Sequence, residues 1–250
     1  MSKDKILLAG ESWETISLHV KGFDTFTTSK YEEGSKWIID ALEGSGFEVD
    51  FIPNHHASSK FPTSLDEIGD YGCVILSDIG ANTLLLNPRT FEKSVPTPNR
   101  LTLIQDFVKT GGSFLMVGGY LSFQGIEGKA NYRDTVIEEI LPVKMFRGDD
   151  RVEIPEGCNP TTSQSHPITE GLDEEWPTLL GYNKLSPKSN GRVLVTNDED
   201  PILTVGRYEE GRVAAFASDC APHWGSPDFV DWNQYDTFWS RLLSWLTDRI

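Results

Sequence analysis

Five clusters in this sequence carry side chains able to do chemistry, and each follows a short apolar run. Phe114-Leu115-Met116-Val117 ends in Gly118-Gly119, and the next residue is Tyr120. Paired glycines let the backbone take positive φ and turn sharply, so the following side chain stands clear of a strand end. Turns of this form present a nucleophilic Ser or Cys in many hydrolases. Here the turn presents a phenol, whose reference pKa of about 10 makes it a poor acyl acceptor. Ser122, two residues on, reads as an ordinary turn serine. Glu11 and Trp13 follow the run at 5–9, His55 and His56 the run at 47–52, and Asp78 the run at 73–76. Asp219, Cys220, His223 and Trp224 follow the run at 213–217.

Three chemistries fit these residue types. Cys220 and His223, at i and i+3, would make a nucleophile and its base, since a neighbouring imidazolium lowers a thiol pKa. His55, His56, Asp78, Asp219 and His223 form a mixed donor set competent for zinc, but no HExxH-type spacing supports it, and no metal or cofactor is assigned. Aromatics beside carboxylates and imidazoles suit a small polar ligand such as a sugar. On that reading Glu11, Trp13, His55, Asp78, Gly119, Tyr120, Asp219 and Trp224 form the binding site. Each also has a plain structural reading: a solvated histidine pair, tryptophans capping the core, aspartates capping helices or turns, and a buried, inert cysteine.

The elements that must position these residues alternate. Strands at 5–9, 47–52, 73–76 and 114–117 are separated by helical patterns at 31–42, 64–68 and 100–109, with a polar loop between 13 and 31. Such βα alternation predicts a parallel, doubly wound sheet, with right-handed crossovers bringing the post-strand loops to one edge. The Pro-bearing stretch 81–99 reads as a long loop, and 132–140 as a helix. Beyond residue 150 the strands shorten, at 152–154, 193–195, 202–205 and 213–217. Glu209-Glu210-Gly211 marks a hairpin turn, so this half is expected to be mixed or antiparallel. A closing helix near 232–247 carries Tyr235, Trp239, Leu242 and Leu246 at core-packing spacing. With no repeat or linker, residues 1–250 read as one α/β domain: a three-layer αβα sandwich with a mostly parallel sheet and antiparallel strands added in the C-terminal half.

Composition narrows the partners. The 250 residues carry 22 Lys and Arg against 38 Asp and Glu, a formal net charge of −16. That balance argues against nucleic acid and anionic membranes. Cys73, Cys158 and Cys220 are an odd number without CxxC pairing, as expected of a reducing cytoplasm. No apolar run approaches the ~18 residues of a membrane span, and the short N-terminal apolar stretch does not make a signal peptide.

The chain resembles the class I glutamine amidotransferase-like superfamily, and more narrowly an uncharacterised bacterial family labelled putative glutamine amidotransferase. The residues that carry the resemblance are 74–82, 111–120, His166-Pro167-Ile168-Thr169-Glu170-Gly171-Leu172, and 211–225, the last being the most specific. The resemblance implies a flavodoxin-like fold. The His166–Leu172 string is also similar to one in trehalose-utilisation-type relatives and β-galactosidase trimerisation domains, which share the fold without amidotransferase chemistry. A working glutaminase needs a thiol at the elbow, a His and an orienting carboxylate. This chain has Tyr120 at the elbow, and Ser218-Asp219-Cys220-Ala221-Pro222-His223 where such enzymes place His-Pro-Glu. The expectation is therefore a protein without glutaminase activity that binds a small polar molecule or serves as a homo-oligomeric module, the alternative being altered hydrolase or transferase chemistry.

Overall fold

The computed structural model describes residues 4–250. Strand β1 (Lys5–Gly10) leads through Glu11 into a long antiparallel ribbon, β2 (Ser12–Lys21) and β3 (Asp24–Glu33). Helix α1 (Lys36–Gly44), β4 (Glu48–Ile52), α2 (Asn54–Lys60), α3 (Leu65–Ile68) and β5 (Cys73–Ser77) follow. After α4 (Ala81–Leu85) and α5 (Pro88–Lys93) come α6 (Arg100–Lys109), β6 (Ser113–Val117) and α7 (Val136–Ile140). The second half holds β7 (Val143–Met145), β8 (Arg151–Cys158), β9 (Thr161–Thr162), β10 (Leu179–Asn183), β11 (Leu185–Pro187), β12 (Arg192–Asn197), β13 (Asp200–Tyr208) and β14 (Gly211–Phe216). Helices α8 (Pro227–Val230) and α9 (Tyr235–Leu246) close the chain.

One eight-stranded sheet organises the molecule, in the order β4-β1-β5-β6-β14-β13-β12-β9. The first five are parallel and the last three add antiparallel. Counting the parallel strands alone in chain order gives 2-1-3-4-5, the flavodoxin order. The apolar runs of β1, β5, β6 and β14 are buried, as a parallel sheet covered on both faces requires, while the edge strand β4 is only half-buried. Helix α1 packs against α9 on one side, while α6 packs against α3, α4 and α7. Tyr235, Trp239, Leu242 and Leu246 all point from α9 into the core. No helix among the described residues is long and apolar enough to cross a membrane.

Several local expectations need correction. The presumed polar loop 13–31 is the β2–β3 ribbon, paired from Ser12↔Glu33 to Lys21↔Asp24 around a two-residue Gly22-Phe23 turn. Tyr31 accordingly lies in β3, and α1 begins only at Lys36, because strand pairing holds the preceding residues extended. His55 and His56 sit in the first turn of α2 rather than in a loop. The stretch 81–99 contains α4 and α5, the latter started by the Asn87 side chain accepting from Arg89 N–H. Helix α7 starts at Val136, capped by Thr135, rather than at 132. The closing helix starts at Tyr235, with α8 preceding it. Strand β8 runs on past 152–154 to Cys158.

Arg100 ties the helical layer beneath the sheet's carboxyl edge. Its guanidinium is buried and donates to the carbonyls of Leu84, Ala57 and Ser58 at 2.6, 3.0 and 3.0 Å, and of Thr83 at 3.2 Å. Those carbonyls lie in the last turns of α2 and α4, at the negative end of the helix dipole, and that of Ala57 also accepts from Phe61 N–H at 3.2 Å. Replacing Arg100 with Met keeps the stem and leaves the carbonyls of Ser58, Thr83 and Leu84 without the guanidinium that pairs them. We expect Arg100→Met to lower the urea unfolding free energy by ~2–4 kcal/mol. A loss under ~1 kcal/mol would show that water reaches these helix ends.

Candidate functional site

Adjacent strands β1, β5, β6 and β14 deliver Glu11, Asp78, Tyr120 and Asp219 to the same edge of the sheet. At the end of β1 the backbone runs against β5 so closely that a Cβ on Gly10 would lie 1.8 Å from the Ser77 carbonyl oxygen. Gly10 therefore cannot be another residue, and Glu11 N–H donates to that same oxygen at 2.7 Å. Glu11 and Asp78 both adopt left-handed backbone, at φ 48° and 46°. Non-glycine residues rarely do so, and such strain concentrates at functional edges.

Glu11 turns inward as a result. Its carboxylate accepts a short hydrogen bond from Ser77 Oγ, and the Cys220 thiol lies 3.8 Å from that hydroxyl. Oxygens of Glu11 and Asp219 and the sulfur of Cys220 all fall within 4.8 Å of one another, and all three residues are buried. Burial, with Asp78 nearby, pushes the Glu11 pKa up to about 7. Burial, reinforced by Glu11 and Asp78, likewise holds Asp219 well above the usual carboxylate range, and burial raises Asp78. The Cys220 thiol is raised too, by burial and then by Glu11 and Asp219, so it stays protonated.

The turn after β6 has the elbow shape, but its polar groups are already engaged. Gly119, at φ 148°, lies over Asp78, where a Cβ would come within 2.9 Å of Asp78 Oδ1. Its N–H donates to Asn183 Oδ1 at 3.0 Å. Leu121 N–H donates to Asp78 Oδ1 at 2.6 Å. Buried Ser122 donates to the Val117 carbonyl at 2.5 Å and accepts from Asp78 N–H at 3.0 Å, so its hydroxyl braces the turn. The Tyr120 phenol donates to Glu153 at 2.9 Å, under the Arg151 guanidinium stacked 4.6 Å from the ring centroid. Trp224 is buried behind Tyr120 and donates its indole N–H to the other Glu153 oxygen at 3.0 Å. Arg151, Glu153, Asn183 and Ser77 were not singled out from the sequence. The first two alternate outward on β8, a strand whose polar side carried no motif.

Glu11, Trp13, Asp78, Tyr120, Asp219, Pro222 and His223 enclose a cavity of about 460 Å³. The site residues read from the sequence thus meet in large part, with three exceptions. His55 faces a neighbouring cavity with Tyr31 and Asn54, its ring 5.0 Å from that of Tyr31. Trp224 and Gly119 support the wall without lining it. Cys220 and His223 are not oriented as nucleophile and base: the thiol meets Ser77, while the imidazole lies edge-on to Tyr120 at 4.4 Å, with Nδ1 3.9 Å from Asp219. The close donor set accordingly contains Cys220 and Glu11 and none of the histidines expected for zinc.

Comparison with known proteins agrees with this fold. Cytoplasmic protein STM1381 of Salmonella typhimurium LT2 is 49% identical over 97% of this chain and 99% of its own, with a TM-score of 0.93. Cytoplasmic protein STM3548 of Salmonella typhimurium is 45% identical over 96% and 98%, also with a TM-score of 0.93. A ThuA-like protein of Parabacteroides merdae ATCC 43184 is 13% identical over 97% and 89%, with a TM-score of 0.59, a likeness of fold alone. No curated protein matches the chain. The model of the GATase1-like family, described as "Putative glutamine amidotransferase", matches residues 5–248, and it is to this family that the chain belongs.

Proposed function

We propose that this chain is a member of its family without glutaminase chemistry, and that it binds a small, neutral, polyhydroxylated molecule in the cavity at the sheet's carboxyl edge. One observation carries the first half. In an elbow enzyme the N–H of the residue after the nucleophile must face the developing oxyanion, and here that N–H, on Leu121, is held by the Asp78 carboxylate at 2.6 Å. An anion forming there would meet a carboxylate instead of a donor. Tyr120 supplies no thiol, and the Cys220 thiol is buried and protonated. The three free cysteines, with relatives named as cytoplasmic proteins, support a cytoplasmic setting.

The second half rests on the cavity's chemistry. With its pKa pushed up to about 7, the Glu11 carboxyl is partly protonated near neutrality and can both donate and accept hydrogen bonds, as hydroxyl groups require, and burial shifts Asp78 and Asp219 in the same direction. Trp13, Tyr120, Pro222 and His223 add flat, partly apolar walls for C–H faces. The volume falls within the usual range for small-ligand pockets. In calorimetric titrations against monosaccharides and polyols, wild-type protein should bind at least one, and Trp13→Ala and Asp78→Asn should each weaken it about tenfold or more, about 1.4 kcal/mol. Purified protein should release no ammonia from glutamine, and Tyr120→Cys should not create that activity. Glutamine hydrolysis by Tyr120→Cys would show that Leu121 N–H can leave Asp78.

A metal ion is the second reading, favoured by the Glu11, Asp219 and Cys220 donors lying within 4.8 Å of one another. Zinc raising the melting temperature of wild type but not of Cys220→Ala, with no polyol bound, would replace the first reading by this one.

The proton state also has a thermodynamic signature. The Glu11 pKa, about 7 folded, lies above its reference of 4.5, so the folded protein holds a proton that the unfolded chain releases between these values. Stability from this group is therefore full below about pH 4.5 and falls as pH rises through about 7, by about 1.4 kcal/mol per pH unit and about 3 kcal/mol at most. Glu11→Gln, permanently neutral, should flatten the dependence of melting temperature on pH between 5 and 7.5. An unchanged slope would mean that Glu11 titrates as an ordinary surface carboxylate.

A further inference from the structure

The β2–β3 ribbon leaves the domain beside Glu11 and carries ten cross-strand pairs with no third strand. Residues that alternate along β2 share one face: Ile16, Leu18 and Val20 stand there opposite Ser29, Thr27 and Thr25. At its root this face rests on α2, where Tyr31 meets His55. Further out, Ile16, Leu18 and Val20 are 70%, 68% and 64% exposed, and Phe23 at the tip is fully exposed. A two-stranded ribbon alone is marginally stable in water. Long open strand edges are normally blunted by charge, proline or a covering element; along its outer two-thirds this ribbon has no proline and no covering element, and its only charged side chains are Lys21, Asp24 and Lys30.

We infer that this face is the contact through which two copies of the chain form a two-fold dimer, ribbon stacked on ribbon. Three features select a second copy as the occupant. The stripe is symmetric about Leu18, so a two-fold axis there sets Leu18 against its equivalent and Ile16 against Val20 of the partner subunit, the self-complementarity an isologous interface needs. Charge points the same way. The chain carries a net charge of −16, yet residues 15–31 hold Lys21 and Lys30 against Asp24 alone, a net charge of +1. This outer part of the ribbon, beyond Glu14, Glu32 and Glu33 at its root, is where two acidic molecules approach with least repulsion. Area is sufficient: a ten-residue ribbon is about 33 Å long, and burying one face with the Phe23 ring removes on the order of 800 Å² per copy, what a standard stable interface takes from each partner.

Sedimentation equilibrium of the full chain tests this. Wild type at micromolar concentration should sediment at twice the 28.0 kDa chain mass. Leu18→Asp should sediment as a monomer with an unchanged melting temperature, since Leu18 lies outside the core. A second variant guards against an indirect effect. Leu18→Cys should be joined to its equivalent by a bismaleimide about 10 Å long, the spacing of stacked sheets, whereas Thr28→Cys, on the opposite face, should not. A wild-type monomer at every concentration, a dimer that survives Leu18→Asp, or equal cross-linking at both positions would overturn the proposal. So would a monomer whose ribbon is covered only by a different protein.

Discussion

The close approach of β1 and β5 at Gly10 is the constraint from which the rest of the edge follows. With no room for a Cβ there, the chain crosses over Ser77 and hands Glu11 a left-handed backbone. The Glu11 side chain then has no way out to solvent: Ser77 lies on one side, and Gly34, at the return of the ribbon, would place a Cβ 2.4 Å from its carboxylate oxygen. Asp78, half-buried, and Asp219, buried, arrive from strands β5 and β14. Like charges brought together in a dry site hold protons to higher pH. Among the residues lining the cavity, His223 alone can carry positive charge. The pocket's chemistry is thus set by strand packing as much as by residue type.

The same packing holds the elbow's shape while engaging the groups that the elbow reaction would use. Gly118, Gly119 and Ser122 hold the turn, with Gly118 N–H donating to Phe216 and Ser218 carbonyls at 2.8 and 2.9 Å. Asp78 then fills the place where a transition-state oxygen would sit, through Leu121 N–H. Tyr120 is in turn fixed by Glu153, Arg151, His223 and Trp224, which makes it a wall rather than an attacking group. A rigid aromatic wall facing carboxyls is the feature on which the proposed binding of a small polar molecule rests.

The sheet and its edge were legible in the sequence because parallel strands buried on both faces read as short apolar runs. The runs at 5–9, 47–52, 73–76 and 114–117 coincide with β1, β4, β5 and β6 to within a residue or so. The clusters after them pointed to most of the side chains that line the cavity, though not to the place of His55 or the partners of Cys220 and His223. The ribbon was less visible: its alternation of Ile16, Leu18 and Val20 with Ser17 and His19 lies in a Thr- and Ser-rich stretch that resembles a loop in composition. The usable signal was Gly22-Phe23 between two alternating runs, a two-residue hairpin turn with glycine first. Contacts made across long sequence separations left no local trace. Asn183 bridging Gly119 and Asp150, and Ser77 linking Glu11 to Cys220, follow from topology alone. The orientation of His223, toward Tyr120 and away from Cys220, likewise depends on Pro222 and the turn, which i and i+3 spacing does not determine.

The central claim is that this edge buries a carboxyl group, that of Glu11, which keeps its proton to near neutral pH. Infrared difference spectroscopy reads it directly, since a protonated carboxyl has a carbonyl stretch well separated from the carboxylate bands. Titrating wild type against Glu11→Gln should reveal a protonated band that belongs to Glu11, persists at pH 6 and fades with a midpoint near 7. Loss of that band by pH 5, with a midpoint near the ordinary 4.5, would contradict the account.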